Sequence, residues 1–314
     1  MVSGEPLPGD SLLARLGQGN VGTLRIDLAW GSVQAGPGAA YDWSHYDPVI
    51  ASAAQHGIRV LATVYSSPTW AESTPEHPPL GSALPGFEAF VRAAAHRYGA
   101  NGTFWTQHSQ LPKLPITDWQ LWNEPNSGLF WKPKPDAGQY LTLLRAFNAA
   151  IKGVDPGAEI LLTGLFPTPA HGVTTERFLT DLYQGGGGGL FDAVAVHPYA
   201  STPQRVLPVV EDARTLMSRF GDAEKPIWIT EIGWASGGDP SSITVGTARQ
   251  AEYLTQTFQL AAANRTRLRI AGVIWYSLSD LPGSTWVSHS GLFTIDDSPK
   301  PSWDALVQLT GGTP

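Results

Sequence analysis

Two glutamates close two short apolar runs. Glu124 ends Trp119-Gln120-Leu121-Trp122-Asn123-Glu124-Pro125-Asn126, and Glu231 ends the core of Ile227-Trp228-Ile229-Thr230-Glu231-Ile232-Gly233-Trp234. A carboxylate is costly to bury unpaired, so two of them at the ends of otherwise apolar strands mark a site, and a matched carboxyl pair is what glycoside hydrolysis uses. The plainer reading is a pair of strand-end glutamates held by arginines; neither segment carries a basic residue beside its Glu, which counts against it. Other chemistries lack their residues. No Gly-x-Ser-x-Gly elbow occurs, and the absence of cysteine excludes a disulfide framework and a thiolate metal site. His77, His197 and His289 fall on separate loops with no His-x-x-His or Glu-x-x-His spacing, so neither a metal nor another cofactor is expected.

The elements that must position these carboxylates alternate along the whole chain. β-like runs at 23–29, 59–65, 117–122, 159–165, 191–199, 226–232 and 270–278 are followed by helical runs near 46–56, 84–98, 136–154, 175–183, 204–220, 247–264 and 302–309. A further helix over 11–16 precedes them, with Asp10 as its N-cap and Gly17 and Gly19 at its end. Eight helices and seven clear strands predict an α/β fold, a (β/α)8 TIM barrel in a single catalytic domain over 1–314, with strand one short or truncated at the N-terminus. At most residues 1–4 remain for that strand. A doubly wound sheet is the alternative, but no glycine-rich turn follows any strand; the glycines at 185–189 precede one.

Strand side chains alternate between faces, which allows each strand to be phased. With Leu24, Ile26 and Leu28 outside, Arg25 and Asp27 point into the barrel. Ala193, Ala195, His197 and Tyr199 face in, as do Gln120, Trp122 and Glu124, and Ile227, Ile229 and Glu231. Tyr65, Trp275 and Ser277 finish their own strands. The phasing therefore predicts Arg25, Tyr65, Glu124, His197, Tyr199, Glu231 and Trp275 on one wall at one end of the barrel. Arg25 either pairs with Asp27 to fix register or holds Glu231 ionised, and His197 has the alternative of a hydrogen-bonded core residue. Of the 12 tryptophans, Trp119 and Trp228 are phased outward, into helix packing. Trp30, Trp70, Trp131, Trp234 and Trp286 lie in or beside mouth loops, and a wall of Trp30, Tyr65, Trp131, Trp234 and Trp275 is expected to stack sugar rings.

Composition narrows the partners. With 42% hydrophobic and 15% charged residues, 34 Gly and 26 Pro, the chain suits a packed body with elaborated loops and not a disordered or coiled-coil one. A net charge of −7 without any basic run leaves nucleic acid without an electrostatic handle. No apolar stretch approaches the roughly 18 to 20 residues of a membrane span, and the N-terminus has neither a basic n-region nor an apolar h-region. Localisation stays open, with an extracellular site favoured and any signal or anchor lying outside this sequence. No motif fixes an oligomeric state.

Through Trp122-Asn123-Glu124-Pro125-Asn126 and Thr230-Glu231-Ile232-Gly233-Trp234 the chain resembles clan A of the glycoside hydrolases, (β/α)8 retaining enzymes with Asn-Glu ending strand four and a nucleophile Glu ending strand seven. Tyr41-Asp42-Trp43, His197-Pro198-Tyr199, Gly291-Leu292-Phe293 and Pro299-Lys300-Pro301 extend the resemblance over nearly the whole length. Within the clan it is most similar to glycoside hydrolase family 39 and its actinobacterial relatives, while the Glu231 segment is also similar to that of plant-type β-1,3-glucanases. The resemblance implies cleavage of β-glycosidic bonds in an oligo- or polysaccharide by double displacement, with Glu124 as acid/base and Glu231 as nucleophile.

That division of labour requires Glu124 protonated and Glu231 ionised at neutral pH. Arg25 and Tyr199 near Glu231 would favour its charge. Carboxylate repulsion and the apolar surround of Trp122 and Pro125 would raise Glu124, and Asn123 would bond the sugar 2-hydroxyl. Retention demands carboxyl groups about 5 to 5.5 Å apart, whereas about 6.5 to 9.5 Å means inversion. A carbohydrate-binding barrel with a decayed site is the competing expectation, opposed by the presence of both glutamates.

Overall fold

The computed structural model describes residues 6–313. Seven strands, β1 (Thr23–Leu28), β2 (Arg59–Val64), β3 (Asp118–Leu121), β4 (Glu159–Leu165), β5 (Ala193–Val196), β6 (Ile227–Ile232) and β7 (Ile270–Trp275), pair in sequence order, each parallel to the next. Helices α1 (Asp10–Gln18), α2 (Asp47–Gln55), α3 (Leu84–Tyr98), α4 (Thr103–Gln107), α5 (Ala137–Val154), α6 (Thr175–Gln184), α7 (Val206–Arg219), α8 (Thr247–Ala263), α9 (Arg265–Leu268) and α10 (Pro301–Thr310) cover the sheet. Parallel strands need such crossovers, and strands covered on both faces read as the near-continuous apolar runs seen in β4, β5 and β6.

The helix starts follow local chemistry. Asp136 caps α5 by accepting from the Gly138 and Gln139 amides at 2.9 and 3.0 Å, and Thr174 caps α6 through Arg177 N at 3.3 Å. The expected cap of α1 is corrected: Gly9 occupies that position and Asp10 lies in the first turn. There its charge favours the helix N-terminus, and its carboxylate accepts from Ser52 Oγ of α2 at 2.5 Å. Trp105 on α4 is buried with its indole N–H on Tyr98 O, a structural role in the connection before β3.

The sheet curls until β1 and β7 face each other across a slot, a barrel with seven described strands. Among the described residues the slot is bounded by Thr23, Leu24 and Arg25 on one side, residues 271–275 on the other, and α1, α8 and α10 behind. The short first strand expected within residues 1–4 lies outside the described residues.

Barrel interior and helix layer are separate cores. Leu61, Leu161, Ala193, Ala195 and Trp228, with Ile274, fill the interior, while Leu24, Ile26, Leu28, Trp119, Leu121, Val194, Val196, Ile227 and Ile229 join the helices. The phasing of β1 and β5 and the outward Trp119 thus agree with the structure. On β6 the phasing is reversed: Trp228 and Thr230 point in and Ile227 and Ile229 out. Trp228 fits because it lies over Gly272 of β7, where a Cβ would collide with the indole, and among Ala193 and Ala195.

Candidate active site

Two breaks in strand regularity bring the glutamates to one mouth. The β6–β7 register shifts between Ile229 and Ile232, so Glu231 is turned into the mouth even though Thr230, its neighbour, faces the interior. After β3, Trp122 and Glu124 adopt left-handed backbone, with φ of 63° and 39°. Consecutive residues of a regular strand point to opposite faces; this departure lets Asn123 and Glu124 both reach the site and turns Trp122 out of it.

Arg25, on β1 and 3% exposed, is the hub. Its Nη1 donates to Glu231 Oε1 at 2.6 Å, its Nη2 to Asn123 Oδ1 at 3.0 Å, and its Nε to Gln120 Oε1 and Thr63 Oγ1, both at 2.8 Å. Burial works against the guanidinium's charge, and Glu231 with Asp27 outweighs it, so Arg25 is held more firmly protonated than usual. Of the two readings of this arginine, the hydrogen bonds favour support of Glu231.

His197, fully buried, bridges the carboxylates. Its Nδ1 lies 2.8 Å from Glu124 Oε1 and 3.5 Å from Glu231 Oε2, and its Nε2 lies 3.0 Å from Thr230 Oγ1. Gly164 on β4 leaves the space: a Cβ there would overlap the imidazole. Tyr199 donates its hydroxyl to Glu231 Oε2 at 3.0 Å. Burial, then Glu231, pushes that phenol well above its ordinary range, so it remains a donor.

The two carboxyls are biased in opposite directions. Burial raises Glu124, and the Glu231 charge adds to this, while the His197 hydrogen bond and the charge of Arg25 only partly offset it. Burial also opposes the charge of Glu231, but the Nδ1 side of His197 and the Arg25 guanidinium overcome it and hold the group below the usual carboxylate range. As a tightly coupled pair they titrate jointly, with Glu231 losing its proton first. One oxygen from each carboxylate and one His197 nitrogen lie within 4.8 Å of one another, a set that could also grip a cation. Both Glu231 oxygens are already bonded, to Arg25 and Tyr199, and the guanidinium supplies the positive charge that a metal would.

Arg25, Asn123, Glu124, His197, Tyr199 and Glu231 thus assemble as expected. The stacking wall does not. Trp30, Trp131 and Trp234 are at most 1% exposed, Tyr65 2% and Trp275 8%. Their rings serve the helix–sheet layer: Trp30 stacks on Phe90 of α3, Trp131 lies against Tyr140 of α5, and Trp234 packs edge-on to Tyr253 of α8. Their indole N–H groups are spent on Gln34, Gln139 and the Ala200 carbonyl. Tyr65 packs edge-on to Trp122 within the field of Glu124. Trp275 faces Trp234 and donates to Ser290 O; Tyr276 stands in its place, edge-on to Tyr199 and Trp286. Partly exposed rings in the mouth loops include Tyr199, Phe166 stacked on it, Trp286, and Trp70, which packs edge-on to Trp30 with its indole N–H on Gln34 O. Trp131→Ala is therefore expected to lower stability by about 3 to 5 kcal/mol, as large-to-small core changes do, with no separate effect on sugar affinity. Denaturant unfolding beside calorimetric titration checks this; unchanged stability with weakened sugar binding would restore the stacking role.

A parallel barrel that gathers two oppositely biased carboxylates at its strand ends has the architecture of a glycoside hydrolase. The glycosyl hydrolase catalytic core family model matches residues 122–302, and the chain belongs to that family. Among solved structures it is similar to a family 39 glycoside hydrolase from Bacteroides cellulosilyticus WH2, with a TM-score of 0.74 and 23% identity over 96% of this chain and 60% of that one. It is also similar to a glucosidase from Croceicoccus marinus (0.72, 15%, covering 98% and 66%) and to a family 39 β-xylosidase from Caulobacter crescentus (0.71, 20%, covering 97% and 68%). The chain thus spans under two thirds of the length of the first two. Among the curated proteins, none matches this sequence.

Proposed function

We propose that this chain, acting as one catalytic domain over 1–314, is a retaining glycoside hydrolase that cleaves β-glycosidic bonds of an oligo- or polysaccharide. Glu231 attacks the anomeric carbon while Glu124 protonates the leaving oxygen; Glu124, now a base, then activates the water that releases the sugar from Glu231. The observation that carries this reading is the approach of the two carboxylates to within 4.8 Å at their nearest oxygens, with opposite protonation bias. An inverting site would keep them about 6.5 to 9.5 Å apart to hold a water between them.

Arg25 and Tyr199 keep Glu231 ionised and aimed, and Asn123, its Oδ1 fixed by Arg25, keeps its amide N–H groups for the sugar 2-hydroxyl. The similarity to β-xylosidase and glucosidase folds supports a β-linked substrate class but selects no sugar. A carbohydrate-binding barrel with a decayed site is less well supported, because nothing in the Arg25, His197 and Tyr199 network around the two glutamates is missing. The test is a panel of aryl β-glycosides, with the first-formed anomer read by proton NMR. β-Configured product from at least one sugar is expected; α-configured product would reject double displacement, and inertness across xylosides, glucosides, mannosides, galactosides and glucuronides would favour the binding protein.

A further inference from the structure

We propose that Thr230 and Gln120 are positioning residues that dictate which nitrogen of His197 carries its proton, and thereby which oxygen of Glu124 carries the acidic one. This rests on the reading of Glu124 as acid/base. An arginine can only donate. Arg25 Nε, 2.8 Å from Gln120 Oε1, therefore fixes the amide with its oxygen toward the guanidinium, and Thr63 Oγ1 donates to the same oxygen at 3.1 Å. Gln120 Nε2 is left facing Thr230 Oγ1 at 3.3 Å and Leu162 O at 3.4 Å, and donates to both.

Thr230 Oγ1 thus accepts from Gln120, and its own proton has one acceptor among the described residues, His197 Nε2 at 3.0 Å. Were Nε2 protonated, that hydroxyl proton would be stranded where Gln120, Thr230 and His197 are all fully buried, a state folded proteins avoid. With Nε2 as acceptor, Nδ1 holds the proton and donates to Glu124 Oε1 at 2.8 Å. Oε1 is then always an acceptor, and the acid's proton resides on Oε2, free for the leaving oxygen. The opposite tautomer would turn a lone pair of Nδ1 toward Glu124 and draw the acidic proton away from the substrate. The relay runs in one sense from Arg25 through Gln120, Thr230 and His197 to Glu124.

The other charged or titratable groups around this pair are Glu231 from β6, Arg25 from β1, and Tyr199 and Tyr65 from the ends of β5 and β2. Thr230→Val removes the hydroxyl at nearly constant volume and touches none of them. On an aryl glycoside with a poor leaving group kcat is expected to fall by about 10-fold or more, but less than about 3-fold on a dinitrophenyl glycoside that needs no proton. The basic limb of kcat/KM moves to higher pH, because Glu124 is then held as a donor to Nδ1. Thr230→Ser keeps the relay and restores the parent values.

The direct readout is the nitrogen-15 spectrum of His197 near neutral pH, assigned by its loss in His197→Asn. The proposal expects a protonated Nδ1 beside an acceptor Nε2 in the parent protein and in Thr230→Ser, lost or reversed in Thr230→Val. A parent protein protonated on Nε2 alone overturns it. So do equal losses on both leaving groups, an unmoved basic limb, or no rescue by serine. The spectrum needs no turnover and is recorded on the parent protein even if Thr230→Val does not fold, so an inert enzyme would reject the hydrolase reading while leaving the tautomer to be judged separately.

Discussion

Glu231→Ala is expected to lose hydrolysis of aryl β-glycosides by on the order of 10⁵-fold, the scale seen when a covalent nucleophile is removed. Azide or formate should restore part of the activity. Truncation empties a pocket that still holds Arg25 Nη1 and Tyr199 OH, donors placed for the carboxylate and equally suited to a small anion. The anion attacks from the face Glu231 has vacated, in a single displacement, so the glycosyl azide formed is of inverted, α configuration. Mass spectrometry and proton NMR of the product check this. Parent-like activity in the variant would remove Glu231 from the mechanism, and a β-configured azide product would assign it the wrong role.

Glu124→Ala is expected to behave differently on two kinds of substrate. Natural glycosides and poorly activated aryl glycosides need a proton on the leaving oxygen and should lose about 10² to 10⁴-fold, the usual worth of general acid catalysis. Dinitrophenyl glycosides leave unaided and should still form the glycosyl-enzyme. Its breakdown then limits the rate, and azide accelerates it to a β-configured azide, the mirror of the Glu231→Ala result. The pH dependence gives a second sign. Activity of the parent on a poor leaving group requires Glu124 protonated, so it falls as pH rises through the elevated Glu124 pKa; in Glu124→Ala that fall is absent on the dinitrophenyl substrate. Equal losses on both leaving groups would count against Glu124 as the acid.

The sequence carried the barrel and the carboxylate pair because both are regular features: helices and strands alternate, and an acidic residue at the end of an apolar run is conspicuous. Strand phasing placed Arg25, His197 and Tyr199 correctly where β1 and β5 keep their alternation. It failed where backbone irregularity intervened. The register shift in β6 hid Thr230 and Trp228 on the inner face, and the left-handed Trp122 let two consecutive residues enter the site. Neither event has a glycine or proline within the strand to announce it.

The tryptophans were misjudged for a different reason. Trp30, Trp131 and Trp234 do lie in loops after strands, but their rings pack against Phe90 of α3, Tyr140 of α5 and Tyr253 of α8. Position in a mouth loop does not tell which way a side chain turns. The glycines were a usable signal: Gly164 and Gly272 each leave room for one interior ring, His197 and Trp228, and pairing them across neighbouring strands would have phased β6.

The most direct test of the central claim, double displacement through Glu231, is to trap its intermediate. A 2-deoxy-2-fluoro-β-glycoside with a dinitrophenyl leaving group, in the sugar that the aryl panel selects, slows breakdown more than formation, because fluorine withdraws electrons from the developing oxocarbenium ion and removes the 2-hydroxyl contact. The account predicts that the intact protein gains the mass of one fluorosugar, and that after proteolysis the label lies on Glu231 within Ile227–Ile232. Label on any other residue, or steady hydrolysis of the parent glycoside with inverted product and no adduct, would contradict it.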